Sequence, residues 1–360
     1  MKKVFFCILV ILLNSCGTSD KSADSSNDLD SRSFQFTYDA QLEPSNQKVE
    51  VWIPIPQTNE VQTISNLSLV NDDLDCTEYA ESTHGNRYYY CVSDNGISEL
   101  KTLSLTCDVV RKEHQAVSYK NLDPTLYDKG TNSQYVIEGF MFDNIIKKNN
   151  LVASNMRGIY DYVLNGMHYG KPKDNSDSDQ YFAGDNPKTG EKWLPEDITY
   201  GEHQVSLKQV VDYYKDSKTK NNNYTFGNGN SQYACDVGVG NCTDYHSYFM
   251  SLCRSINIPA RFHMGFSVPN KASEGKIGGY HCWADYFIDG DGWYPVDISN
   301  ADKDPAKIDY FFGTVCSDRV EFTTGRDLNL ENYGEEVNFF IYPLVKGTKL
   351  AAKNFSYKNL

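Results

Sequence analysis

The chain has 360 residues, 40% of them hydrophobic and 23% charged, with 26 Tyr and 18 Phe. That is more than one compact core usually holds and enough apolar surface to bury two. Its net charge of −14 repels phosphate backbones and argues against nucleic acid as a partner.

The N-terminus is basic at Lys2 and Lys3 and continues as an apolar run from Val4 to Leu13, too short to span a bilayer. The run ends in Leu13-Asn14-Ser15-Cys16-Gly17. This resembles the lipobox of bacterial lipoproteins, although Asn14 departs from the usual small residue. The resemblance implies a signal peptide over 1–15 and acylation of Cys16; an ordinary secretory signal with an incidental cysteine is the alternative. Residues 16–32 are rich in Ser and Asp, cannot bury enough apolar surface to fold, and read as a flexible tether. The expected address is the bacterial cell envelope, periplasmic face or cell surface, with the lipid bilayer as a partner through the anchor.

From 33 to 120 the pattern has a period of two. Phe34, Phe36 and Tyr38 alternate, as do Val49, Val51 and Ile53 before Pro54 and Pro56, and further runs follow at Tyr88 to Val92 and Leu103 to Val109. A β-sandwich is the simplest account. Residues 121–360 read as a second, α+β domain. Val152, Met156, Ile159, Tyr160, Val163 and Leu164 share one face of a helix. Gly170 to Glu202 reads as a polar surface loop, Leu207 to Tyr214 as a short helix, and Lys218 to Asn241 as an Asn- and Gly-rich approach to Cys242.

After Asn241, the residues Tyr245, Phe249, Leu252, Cys253 and Ile256 recur at helical spacing until Pro259 forbids continuation, which puts Cys242 at a helix N-terminus. Strands follow over Ala260 to Val268, Tyr280 to Ile288 and Trp293 to Ile298, the last two joined by the turn Asp289-Gly290-Asp291-Gly292.

A cysteine in the first turn of a helix meets unpaired backbone N–H groups and the positive end of the dipole, which favour thiolate. It still needs a base, and His281 is the best placed. Asp297, returned beside it by the hairpin and pointing to the same sheet face, would hold the imidazole in one tautomer.

The blocks Gly240-Asn241-Cys242-Thr243-Asp244-Tyr245-His246, Ile258-Pro259-Ala260-Arg261, Tyr280-His281-Cys282-Trp283 and Gly292-Trp293-Tyr294-Pro295-Val296-Asp297 resemble the transglutaminase-like superfamily. The likeness runs from about Leu151 to Leu330, with Tyr310-Phe311-Phe312-Gly313 and Arg319-Val320, and Trp52-Ile53-Pro54-Ile55-Pro56 resembles the leading domain of bacterial members. It implies an N-terminal β-sandwich followed by a papain-like α+β core, with a nucleophile helix packed on an antiparallel sheet. Cys242, His281 and Asp297 inherit the roles of nucleophile, base and orienting carboxylate. The stretch Tyr233 to Val239 is longer than the family's usual Gly-rich approach, so the oxyanion donor beyond the Cys242 backbone N–H stays unassigned among Gln232, Tyr233 and Trp193.

Other groups read as structural. His246 stacks along the nucleophile helix and suits packing, hydrogen bonding or support of the site. His263 and Arg261 suit structural roles, and Trp283 and Trp293 a core or cleft wall. No C-x-x-C or H-E-x-x-H spacing supports zinc, and Asp289 to Gly292 lacks a calcium-loop pattern, so no metal or cofactor is expected. Of ten cysteines, Cys7 would leave with the signal, and Cys76, Cys91, Cys107, Cys235, Cys253, Cys282 and Cys316 remain beside Cys16 and Cys242. Their connectivity is open, with Cys76–Cys91 favoured.

The expectation is a cysteine-nucleophile acyl-transfer enzyme. It would act on peptide, isopeptide or glutamine amide bonds of a peptide or protein substrate at the cell envelope, by hydrolysis in preference to crosslinking. The alternative is a catalytically inactive module of the same fold that binds peptide or glycan.

Overall fold

The computed structural model describes residues 30–71, 74–130, 133–170 and 223–360. The lipobox with Cys16, most of the tether, the loop read after Gly170 and the helix read near Leu207 lie outside the described residues.

Alternation works as the sequence implies in β1 (Ser31–Leu42), where Phe34, Phe36, Tyr38, Ala40 and Leu42 are buried and the residues between them are not. Strand β1 pairs antiparallel with β6 (Lys101–Lys112) on one side and with β17 (Leu350–Asn359) on the other. With β3 (Gln62–Val70) and β10 (Glu274–Ile277) these form a five-stranded sheet ordered β10-β17-β1-β6-β3. A second sheet is ordered β16-β2-β5-β4, from Leu344–Lys346, Val49–Pro54, Arg87–Ser93 and Asp75–Ala80.

Val49, Val51 and Ile53 on β2 share a core with Phe34, Phe36 and Tyr38 of β1. Trp52 turns to the other face and meets Tyr88, Tyr90, Leu328 and Phe340. Burying each such side chain stabilises by about 1.5–3 kcal/mol. A disulfide joins Cys76 and Cys91, which are directly opposite each other on β4 and β5.

The sequence reading ended the sandwich at 120. Strands β16 and β17 add to its sheets from the other end of the chain, because Phe355 and Tyr357 supply the apolar alternation that the flank of β1 needs.

The third sheet is ordered β12-β11-β9-β13, from Gly292–Val296, His281–Ile288, Ala260–Ser267 and Arg319–Thr324. The first sheet packs directly on it, with Phe36 at 5.3 Å from Phe266 and 5.4 Å from Phe322 between ring centroids. Small pairs complete the strands: β7 (His168–Tyr169) lies parallel to β8 (Val239–Gly240), and β14 (Leu328–Asn329) antiparallel to β15 (Glu336–Val337).

The described helices are α1 (Phe140–Asn149), α2 (Met156–Gly166), α3 (Ser231–Val237), α4 (Cys242–Ser255) and α5 (Ile298–Lys303). Helix α2 starts later than the apolar spacing suggested. Asn155 caps it by accepting from Gly158 N, which leaves Val152 outside and exposed. Helix α4 is buried on every face and lays Phe249 against Tyr286 of β11 at 6.0 Å. Two of its buried polar side chains are paired with other segments: Arg254 donates to Ala260 O at 2.9 Å, and Ser247 accepts from Arg326 at 2.6 Å.

Candidate active site

The site grows from the start of α4. Asn241 caps the helix, its side chain accepting from Thr243 N at 2.9 Å, while Asp244 reaches back to accept from Asn241 N at 2.9 Å. This capping box fixes Cys242 as the first helical residue. Asp244 also accepts from Gly227 N at 2.9 Å and Gly229 N at 3.0 Å, tying the approach loop to the helix. Gly229 has φ +62°, and a Cβ on Gly240 would stand 2.5 Å from that of Asp244, so both positions demand glycine.

Cys242 is 3% exposed. A hydrogen bond from the Cys282 thiol holds its sulfur well below the ordinary cysteine range, against the upward push of burial. A hydrogen bond from His281, the charge of His281 and that of Lys303 lower it further.

His281 opens β11 and donates from Nε2 to Asp297 Oδ2 at 2.7 Å, which leaves Nδ1 for the sulfur. Asp297 follows β12 as the N-cap of α5, where its other oxygen accepts from Asn300 N at 3.0 Å and Ser299 Oγ at 3.1 Å. Burial disfavours its charge, yet His281 and Arg319 hold its carboxyl well below the usual carboxylate range. Arg319 donates from Nη2 to Asp297 Oδ2 at 2.6 Å. The three residues singled out in the sequence are thus brought together, on α4, β11 and the end of β12.

His246 has a defined place. Its Nε2 accepts from Ile298 N at 3.1 Å, which leaves Nδ1 to donate to Cys242 O at 2.7 Å. Burial pushes its pKa down to about 4, so the neutral ring bridges the nucleophile's backbone to the residue after Asp297. Arg261 and His263 lie deeper: Arg261 donates to Asp285 at 2.6 Å, and His263 contacts Asp285 at 2.9 Å and Glu321 at 2.8 Å. Trp283 is fully buried and stacks on His263 at 5.5 Å, with the His281 ring 6.5 Å away.

Tyr280 and Tyr169 stand around the nucleophile. Burial first, and then the charge at Cys242, raises both hydroxyl pKa values. Tyr280 Oη lies 3.1 Å from Thr243 Oγ1, and Lys303 Nζ sits 3.7 Å over the Tyr169 ring. A recess of about 340 Å³, whose lining includes Asn300, Lys303, Lys307 and Arg319, adjoins the Asp297–Arg319 pair.

Sequence reasoning assigned no site role to Asp244, Cys282 or Arg319. Asn241 followed three residues on by an acid is a capping-box pattern and could have marked Asp244. Arg319 is on a separate strand, and no local spacing points to it.

Chemically, a buried thiol of lowered pKa beside an imidazole fixed by a carboxylate is an arrangement for nucleophilic acyl transfer. Known proteins share parts of this chain. An uncharacterized protein of Haemophilus influenzae is 29% identical over 165 residues, 36% of this chain and 45% of that protein, so the match spans under half of that relative's length. The solved structure of a candidate cysteine protease from Cytophaga hutchinsonii aligns over 91% of this chain and 98% of its own, at 14% identity and TM-score 0.46. A candidate protease from Parabacteroides distasonis aligns over 73% and 46%, at 9% identity and TM-score 0.24. Residues 195–298 match the family model of the transglutaminase-like superfamily. That span contains Cys242, His281 and Asp297, and this chain carries a transglutaminase-like domain.

Proposed function

We propose that the chain is a cysteine-nucleophile acyl-transfer enzyme that opens peptide, isopeptide or glutamine amide bonds by hydrolysis. The observation that carries this reading is the line Asp297–His281–Cys242, in which Nε2 of the imidazole is committed to a carboxylate at 2.7 Å and the thiol is held low by its neighbours. The Cys242 thiolate attacks the amide carbonyl, and the oxyanion that forms faces the backbone N–H of the first helical residue. His281 gives its proton to the leaving amine, an acyl-enzyme remains, and water deprotonated by His281 releases it. Asp297 touches no substrate; it orients the ring and stabilises its charged form.

Hydrolysis is favoured over crosslinking because water outcompetes dilute amines wherever the acyl-enzyme meets solvent. The lipobox ending in Cys16 supports a place at the cell envelope, lipid-anchored in the bilayer, with peptides or proteins as substrates.

The test is acylation of the purified chain by an activated ester and by glutamine-containing peptides, with products separated into free acid and amine adduct. Release of acid by wild type and none by Cys242→Ala is expected. Absence of any acyl-enzyme on wild type would sink the enzyme reading and leave a peptide- or glycan-binding module.

A further inference from the structure

Cys282 has no step in the acyl-transfer chemistry, yet it is built into the site. It follows His281 on β11, so its side chain points to the opposite face of that strand. Its sulfur lies 3.9 Å from Thr243 Oγ1 and 3.8 Å from His246 Nδ1. Thr243 is next to Cys242, and His246 Nδ1 is 2.7 Å from the Cys242 carbonyl oxygen. The sulfur of Cys282 is therefore seated against the first turn of α4, beside the Cys242 thiol whose pKa it lowers. Cys253 is no substitute. It is on the same helix, about 16 Å further along the axis at about 1.5 Å per residue.

We infer that Cys242 and Cys282 form a reversible oxidation site, at which a hydroperoxide converts the pair into an intramolecular disulfide that silences the nucleophile and a thiol reductant restores it. This rests on the reading of Cys242 as the reactive thiol. The Cys242 thiolate attacks one peroxide oxygen and the O–O bond breaks. The sulfur is oxidised to a sulfenic acid, and the other oxygen leaves as hydroxide or alkoxide. The Cys282 sulfur then attacks the sulfenic sulfur. The S–O bond breaks, the hydroxyl leaves with the Cys282 proton as water, and an S–S bond forms. Two electrons have passed from the two thiols to the peroxide, and two equivalents of an external thiol return them. Without a resolving thiol, further oxidation to sulfinic acid would be irreversible. With Cys282 in place, the nucleophile survives exposure to oxidant.

The full chain is treated with a small excess of hydrogen peroxide near pH ~7, quenched with iodoacetamide and mapped by mass spectrometry. The expected result is a cross-linked peptide holding Cys242 and Cys282, loss of two reactive thiols, and full recovery with dithiothreitol. Cys282→Ser and Cys282→Ala should give no such cross-link and should instead accumulate sulfinic acid on Cys242 that dithiothreitol does not remove. Sulfinic acid on Cys242 in the wild type with Cys282 unmodified, or a cross-link from Cys242 to another cysteine, would overturn the inference. The masses do not depend on turnover. A protein that cross-links but hydrolyses nothing when reduced contradicts the acyl-transfer reading alone, whereas an active enzyme that forms only sulfinic acid contradicts this one alone.

Discussion

Arg319 donates to Asp297 through Nη2 at 2.6 Å, on the same carboxylate oxygen that takes the His281 hydrogen at 2.7 Å. Both side chains are essentially inaccessible, at 1% and 0%. Removing the guanidinium would leave that buried oxygen to the imidazole alone. Arg319→Met should therefore cost about 3–5 kcal/mol of stability, read as the urea midpoint at constant slope. An unchanged midpoint would show that the pair carries no such weight.

Within the proposed triad the carboxylate should matter less than the sulfur. Cys242→Ala is expected to abolish turnover. Asp297→Asn should lower it by about 10²–10⁴-fold without abolishing it, since it spoils only the acid–base contribution of His281. Acyl-enzyme formation on an activated ester separates these outcomes, and wild-type turnover by Cys242→Ala would contradict the mechanism.

Alkylation should report the lowered pKa of Cys242. An ordinary thiol has a pKa of about 8.5 and loses about tenfold in thiolate, and so in rate, for each pH unit below it. A thiol whose pKa is held well down stays ionised as pH falls, so iodoacetamide labelling of Cys242 should be nearly flat between pH ~8 and ~6. Burial pushes Cys253 and Cys107 the other way, and both should label slowly. His281→Gln, which removes one of the lowering causes and leaves Cys282, should steepen the dependence at Cys242. Equal labelling of Cys253 would count against the assignment.

His246 makes the fold acid-sensitive. Its pKa drops to about 4 in the folded state because it is buried, against about 6.5 when unfolded. The unfolded state therefore binds the proton more readily. The stability that the neutral ring provides is full above pH ~6.5 and is lost as pH falls toward ~4, by up to about 3 kcal/mol. Urea unfolding at several pH values in that window should show a smaller decline in His246→Gln than in wild type. Parallel declines would remove His246 as the cause.

Acylation of Cys16 has its own readout. Metabolic labelling with a fatty-acid probe should tag the full-length chain, and Cys16→Ala should be untagged and released from membranes. An unlabelled wild type would remove the anchor.

Much of the site was legible because it depends on local signals: a helix bounded by Asn241 and Pro259, a hairpin at Asp289 to Gly292, and strands with clear alternation on either side. His281 and Asp297 meet because the hairpin sets their register, with Ala284 opposite Val296. What was not legible arises between distant segments. Strand β3 is mostly polar, with eight of its nine residues either exposed or half-covered in no strict order, so it gives no period. Strand β17 alternates weakly and owes its place to β1 rather than to its own composition. Arg319 and Cys282 gain their meaning only from neighbours on other elements.

The pairing of β1 with β17 sets Phe36 opposite Tyr357, across more than three hundred residues of chain. Bringing such distant segments together adds little to the closure entropy but slows the search, because the contact rewards nothing until nearly everything between has been gathered. Before that strand docks, the flank of β1 is an open edge with Tyr38 lacking the cover of Phe355, which lies 4.8 Å from it in the finished fold. A sheet begun with β1 is thus sealed by a strand from far along the chain, and while that strand is undocked the edge is open to proteolysis and to edge-to-edge association.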